Sequence, residues 1–526
     1  MGLTGLDPNS PIPGDFRELI LGAGTGEGAI GSRPVILVGN KTSAGSETVD
    51  VLDAKNPVAD DADAQARCGK RSELYWMYKK YVEVDPDAEI YLLAVTEAGT
   101  ASTVELTVSG ASDAVTDHEI HIHGEYVSYT TASGDSQTTT ASGIANAIND
   151  AASGSLQVTA VAAIDGAGPD YKVTITTANT GVRFSHIIGS TATLGVRVRA
   201  LQSGNAQTVV KNTGSYVAGG TEDDGTTAFA SAVNYEAFYW ALPWTETGAF
   251  TATDNQVGEC VTNLITQALP INGKEQIAVA GVVRTNAQAV TAATGAGGNS
   301  VHLHVVWQEN SDWTPAMLAA HHTAVKRSQE IAHPCENLAG YTRTDNTVYN
   351  VPAPYSVADR PTRTEIRNAL NNGVTPIGCD ANGRTYIVRD ITSKCQDSSG
   401  NADYKAREGH IYSGTSFVWQ LFKARYASQK QPFVDDDPAE GQMPTARTTT
   451  PGLVKAIFQD VIDDMVSSKP LGRYDGPILA PSLAQWMKDH VAVSKVTAGI
   501  NVGAQIVMVE HNLKSETKIR EVGDAY

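Results

Sequence analysis

The sequence Thr450-Pro-Gly-Leu-Val-Lys-Ala-Ile-Phe-Gln-Asp-Val-Ile-Asp-Asp-Met465, followed further on by Ala504-Gln-Ile-Val-Met-Val-Glu510, decides how the chain folds at its end. Pro451 behind Thr450 marks a helix start, because proline fits where the first amide has no partner in any case. Leu453, Ile457, Phe458, Val461, Ile462 and Met465 then share one helical face, with Lys455, Gln459, Asp460, Asp463 and Asp464 on the other. Gly472-Arg-Tyr-Asp-Gly476 breaks the helix, and a second, shorter one is predicted from Pro481, burying Leu483, Trp486 and Met487. Residues 504–510 are continuously apolar rather than alternating, so this strand needs cover on both faces. The sequence just before it offers few neighbouring strands, which points to a partner from another subunit.

A chain of 526 residues has room for two to four domains, each with its own core. Hydrophobic content of 41% with 18% charged residues is that of a globular protein. The net charge of -19 opposes non-specific binding to DNA or to anionic membranes, so no nucleic acid and no membrane insertion are expected. Cys68, Cys260, Cys335, Cys379 and Cys395 are odd in number, widely spaced and without CxxC, as in a chain folded in a reducing cytoplasm. Neither a secretory leader, a myristoylation signal (Leu6 stands where Ser or Thr is needed), nor a membrane-length apolar run is present, so a soluble protein is expected.

Taken from the start, residues 1–31 hold one apolar run, Phe16-Arg-Glu-Leu-Ile-Leu21, between prolines and Gly22-Ala-Gly-Thr-Gly-Glu-Gly28. Phe16, Leu19, Ile20 and Leu21 form a single strand on a leash hinged at Gly22, Gly24, Gly26 and Gly28, either a loose tail or an arm that adds to a neighbour's sheet. The glycines do not make a dinucleotide site. Glu27 occupies one required position, the other frame ends at Ala29, and Val35-Ile-Leu-Val38 follows as a strand where a phosphate-binding helix would be needed.

Residues 34–38 and 88–95 read as buried strands around a helix at 62–81, in which Tyr75, Trp76 and Tyr78 are core rather than a binding box. Between residues 97 and 220 Thr, Ser, Ala, Gly and Val dominate and no tryptophan occurs. Alternating runs at 102–108, 119–128 and 171–176, with one helix at 142–149, describe a β-rich domain spliced into a loop of its host. From residue 221 to about 431 strands (237–242, 276–283, 301–307) alternate with helices (257–269, 287–293, 315–331), which points to a mostly parallel sheet. A helix at 362–371, a hairpin at 374–388 turning on Asp380-Ala-Asn-Gly383, whose Asn382 and Gly383 both accept positive φ, and a helix at 417–426 complete this part.

The 450–458 segment, its mid-helix acidic cluster, Asp475-Gly-Pro and the closing Ala504-Gln-Ile-Val-Met-Val-Glu-His511 resemble the Mu-type contractile tail-sheath proteins of bacteriophages. Thr364-Glu-Ile-Arg-Asn-Ala-Leu-Asn-Asn-Gly-Val374, with residues 380–394 behind it, is a second stretch of likeness. The resemblance implies an N-terminal arm (1–31), an α/β core (32–96 with 221–440), an inserted outer β-rich domain (97–220), and an α+β C-terminal domain (441–526) completed by strand exchange between subunits. In such a mixed α/β multidomain fold, Phe16, Leu19, Ile20 and Leu21 of one subunit and Ile506, Val507, Met508 and Val509 of another would complete the sheet of a third. The implied partners are further copies in stacked hexameric rings, an inner tail tube protein, and baseplate and tail terminator proteins. The implied place is the virion tail sheath, assembled in the host cytoplasm, with no cofactor and no enzymatic activity. Were the C-terminal helices to face the tube, Asp460, Asp463 and Asp464 or Lys455 would supply weak, breakable contacts.

Glu119, His121 and His123 alternate along one strand and could bind a metal, but no further ligand stands at metal spacing, so a solvated strand face is preferred. His302 and His304 flank a strand, as a polar face or as packed imidazoles, and His321-His322 with His333 and Cys335 fit no zinc spacing. Arg360-Pro-Thr-Arg363 reads as a helix entry with two exposed arginines rather than a phosphate grip. There is no GxSxG, HExxH or P-loop. Two rival functions remain: a surface adhesin or carbohydrate-binding protein built on the β-rich insertion, and an α/β enzyme using His302, His304 or Asp380.

Overall fold

The computed structural model describes residues 33–503 apart from internal stretches, the longest being 43–56, 185–195, 213–224, 341–348, 440–447 and 467–484. In chain order, β1 (Val35–Gly39) leads through α1 (Asp61–Cys68) and α2 (Glu73–Val82) to β2 (Ile90–Ala94). Next come β3 (Thr103–Ser109), β4 (Thr116–Ile122), β5 (Glu125–Thr131), α3 (Gln137–Asp150), β6 (Val158–Ile164), β7 (Tyr171–Thr177), β8 (Arg197–Ala200) and β9 (Thr208–Lys211). After α4 (Thr226–Ser231) the chain alternates: β10 (Tyr239–Trp244), α5 (Gln256–Ala268), β11 (Ile277–Val282), α6 (Asn286–Thr294), β12 (Leu303–Trp307), α7 (Pro315–Ala332), α8 (Arg363–Asn371), β13 (Val374–Cys379) and β14 (Thr385–Ile387). The last described elements are α9 (Gly409–Gln429), β15 (Phe433–Val434), β16 (Thr448–Thr449), α10 (Pro451–Val466), β17 (Ala492–Val496) and β18 (Gly499–Gly503).

The architecture is mixed α/β. A seven-stranded sheet in the order β14-β13-β12-β11-β10-β1-β2 forms the centre. Its strands are parallel except β14, which pairs antiparallel with β13. Both faces are covered, as continuous apolar strands of this kind require. Ile36, Val38, Trp240, Leu242 and Val305 pack towards α4, α5 and α6. Val35, Leu37, Tyr239, Ala241 and Val279 pack towards α2 and α7.

The chain between β2 and β10 builds two further sheets, β6-β7-β3-β9 and β5-β4-β8, with α3 packed against strands of both. Its buried residues, among them Val104, Ile120, Ile144 and Val173, belong to one apolar cluster with α2 and α7. The join is also polar: Arg197 pairs with Asp312 at 2.7 Å and Lys80 with Glu125 at 3.4 Å. His123 stands edge-on to Trp76 at 4.7 Å between ring centroids.

Four expectations are corrected. The helix expected at 62–81 is two, because Gly69 adopts a left-handed φ of 84° and Ser72 starts a new helix by accepting from the Tyr75 amide. The run 119–128 is two strands, turned at His123 and Gly124 with φ of 41° and 84°. Among the described residues of α10, Pro451, Val454, Ile457, Phe458, Val461 and Ile462 are buried while Leu453 is only half-buried, since a stripe spaced by three and four runs back from Ile457 to Val454. At the 380–383 turn Gly383 alone carries a positive φ; Asp380 Oδ1 holds the turn by accepting from the amides of Asn382 and Arg384, both at 2.8 Å. The helix predicted from Pro481 lies largely outside the described residues.

One close approach fixes the layers. A Cβ on Gly281 of β11 would stand 2.0 Å from the Pro315 carbonyl oxygen and 2.9 Å from the Ala319 amide, both backbone atoms at the start of α7. No side chain can move aside, so Gly281→Ala should lower unfolding free energy by about 1–3 kcal/mol in urea titrations.

Candidate functional site at the roots of the two chain ends

The residues predicted to act, Phe16, Leu19, Ile20, Leu21, Ile506, Val507, Met508 and Val509, with the hinge at Gly22, Gly24, Gly26 and Gly28, lie outside the described residues, as do His333 and Cys335. The structure instead describes where both ends are rooted. β17 and β18 form an antiparallel hairpin that ends immediately ahead of residue 504 in sequence. They form a two-stranded sheet among the described residues, lying beside α10.

Helix α10 is tied to α9 by Phe458, whose ring lies 5.6 Å from Trp419 and 5.2 Å from Phe422. Of the residues expected to face a tube, Asp464 pairs with Arg425 of α9 and Asp463 with Lys488. These two carboxylates are engaged within the subunit, and Asp460 remains exposed.

Helix α9 is in turn joined to the central sheet by a buried ionic network. Lys326 of α7 reaches Asp390 Oδ2 and Glu330 Oε1, each at 2.7 Å. Asp390 Oδ1 accepts from His304 Nδ1 at 2.9 Å and His322 Nε2 at 3.4 Å. Glu330 accepts from Ser413 of α9 at 2.7 Å and from the Tyr239 hydroxyl, with Arg33 Nη1 3.6 Å away. Arg33 stands one residue ahead of the first sheet contact and is fixed three ways. Its guanidinium donates to Tyr239 at 3.1 Å and lies 4.3 Å from the Phe238 ring centre, and its carbonyl accepts from Arg327 Nε at 2.6 Å. The same Arg327 pairs with Asp85 at 2.5 Å.

These groups are essentially without water: Lys326 is 1% exposed, Glu330 1% and Asp390 3%. Burial alone would raise the Asp390 carboxyl, but His304 and Lys326 beside it hold it well below the usual range. Burial would likewise weaken Lys326 as a cation, and Asp390 with Glu330 keep it charged. Removing one partner of such a network strands a buried charge. Lys326→Met should therefore cost about 3–5 kcal/mol in chemical denaturation, with Asp390→Asn added to it restoring part of the loss.

Sequence patterning alone did not single out Lys326, Glu330, Asp390, His410 or Arg33. One signal was present: His322, Lys326 and Glu330 recur every fourth residue in an otherwise Ala-rich helix, a polar stripe where a core helix should be apolar. The packed-imidazole reading suits His302 and His304, which are 8% and 0% exposed. His121 stays on the outer face of β4, 3.7 Å from Glu119, while His123 is buried at the turn and does not share that face. No cluster able to hold a metal ion occurs among the described residues. Arg360 is half-buried, donating to the Asp380 carbonyl at 2.9 Å, and only Arg363 is exposed. A cavity of about 430 Å³ lies where the turn after β1 meets β6 and β7. Arg71 in its wall already gives its guanidinium to the carbonyls of Asn149, Leu156 and Val158.

His321, beside the network, is sealed under Trp313 and Tyr349, with Nε2 accepting from the Asn350 amide at 3.2 Å. Burial, then His322 and Lys80, push its pKa from 6.5 down to about 3. Between those values the unfolded chain binds the proton and the folded chain does not, so stability falls as pH falls below 6.5. His321→Gln should flatten the stability–pH curve there by about 1.4 kcal/mol per pH unit, read from urea midpoints.

No protein-family model and no curated protein matches the chain. Among solved structures it is similar to the sheath tail protein Lin1278 from Listeria innocua, at 13% identity over 92% of this chain and 97% of that one, with a TM-score of 0.42. It is also similar to the baseplate of the anti-feeding prophage, at 13% identity over 48% and 62% with a TM-score of 0.30. The flagellar cap protein FliD D2-D3 domains from Escherichia coli match at 15% over 23% and 75%, with a TM-score of 0.11.

Proposed function

We propose that this chain is the structural subunit of a contractile tail sheath, which polymerises around an inner tube and contracts to drive the tube through a host cell envelope. The observation that carries the reading is the β17–β18 hairpin, two-stranded among the described residues and followed in sequence by the apolar run 504–510. Two-stranded sheets are marginal on their own, whereas three or more strands over an apolar face are stable. Strands from adjoining copies supply what is missing: residues 16–21 of one subunit and 504–513 of another complete the sheet beside α10 in a third. Each added strand contributes several backbone hydrogen bonds worth about 0.5–1.5 kcal/mol apiece, and buried side chains such as Ile506 and Val507 add about 1.5–3 kcal/mol each.

In this arrangement residues 1–31 are the arm, 32–96 with 221–440 the core, 97–220 an outer domain and 441–526 the shared C-terminal domain. Hexameric rings stack helically as part of a virion, meeting an inner tube protein, a baseplate and a terminator. Contraction is rigid-body rotation of subunits between two packings, with the arms kept paired and residues 22–31 absorbing the change in backbone angles.

Negative-stain imaging of the purified protein should show long hollow cylinders; monomers at every concentration would count against the reading. Deleting residues 1–22 should abolish cylinders while leaving the thermal unfolding of the subunit nearly unchanged. Val507→Asp should do the same from the other end, because a charge in a donated strand has no counterpart in the acceptor sheet.

A further inference from the structure

The first turn of α9 closes over two imidazoles and adds one of its own. Gly409 lies on His304: a Cβ there would stand 2.4 Å from His304 Cε1 and 2.7 Å from Asp390 Oδ2, so only glycine permits the approach. Tyr412 covers His302, its hydroxyl 2.9 Å from Nδ1 and the rings edge-on at 5.1 Å. The turn carries the third imidazole itself, His410, which is 2% exposed. Nε2 of His304 and both ring nitrogens of His410 have no hydrogen-bond partner among the described residues.

The charges around them are already matched. From α7, Lys326 and Glu330 face the cluster together with His322; from the segment after β14 comes Asp390, and from ahead of β1 comes Arg33, whose cation offsets Glu330. Glu408, just before α9, is held by Arg389 at 2.6 Å and Arg407 at 3.3 Å. Glu275 accepts from Ser416 at 2.7 Å, and Tyr239, Tyr349 and Tyr412 complete the surroundings as neutral hydroxyls. Two cations offset two carboxylates at the centre, and neutral imidazoles keep that balance. An added proton leaves the cluster with a net buried positive charge, which is costly in a water-free site.

We propose that the first turn of α9 is an acid-operated latch, closed over uncharged His302, His304 and His410 near neutral pH and opened by their protonation. Opening lifts α9 from the sheet, and α10 moves with it through Phe458. Burial lowers the proton affinity of all three rings in the closed state. Water-exposed rings in the open state titrate near the ordinary value of 6.5. Each ring therefore raises the opening constant by up to tenfold per pH unit of acidification, and three by up to about a thousandfold. The carboxylate of Asp390 stays ionised through this range, so the response belongs to the imidazoles.

Hydrogen exchange of the full chain, read by mass spectrometry from about pH 7.5 to about pH 5 and corrected for intrinsic exchange rates, tests this. Amides of α9 should lose protection steeply while β10, β11 and β12 keep theirs. His302→Gln and His410→Gln should each reduce the steepness by about tenfold per pH unit. Should a variant fail to fold, the unmodified chain still decides. Protection of α9 that is flat with pH, or lost together with that of β10–β12, overturns the proposal, as does unchanged steepness in folded variants.

Discussion

Lys326 bridges Asp390 and Glu330 at 2.7 Å on either side, in a place that water does not reach. Removing three charges from water is expensive, and the arrangement holds only because every carboxylate oxygen has a donor. Those donors come from β10, β12, α7, α9 and the segment ahead of β1. A single set of electrostatic demands thus fixes the relative places of elements almost the full described length apart. Apolar packing alone would tolerate a helix sliding by a turn; a saturated ion network does not, because each slip leaves a charge alone.

Around that constraint the molecule is layered in an ordinary way. The central strands are apolar on both faces because helices cover both, and Gly281 lets α7 come down onto β11. The sheets built between β2 and β10 share their apolar interior with α2 and α7, so that part of the chain is seated on the central layer rather than merely tethered to it. Arg71 stitches the same seam by donating to backbone carbonyls of residues 149, 156 and 158.

Much of the central layer was legible from hydrophobic runs, because a doubly covered strand leaves little room for polar residues: β1, β2, β10, β11 and β12 fall where continuous apolar segments place them. Punctuation was harder. Gly69 and Ser72 divide a stretch whose apolar period continues across the break, and His123 turns a strand at a residue that seldom takes a positive φ. The ion network was nearly invisible, since Lys326 and Asp390 are distant in sequence and each looks like an ordinary surface charge until the fold brings them together. Only the four-residue spacing of His322, Lys326 and Glu330 hinted at it. The proposed strand-exchange residues were read from apolar runs and family likeness, and they fall outside the described part of the chain.

Arg33 has one more mechanical implication. Strand β1 lies between β10 and β2, hydrogen-bonded along both edges, and Arg33, two residues ahead of it, is gripped through side chain and carbonyl alike. A tug on the amino end acts along the axis of an interior strand, so both ladders bear it in shear instead of opening rung by rung. Arg327, which holds that carbonyl, is itself anchored to Asp85. Load entering there is shared between the sheet and its covering helix before any strand is stretched.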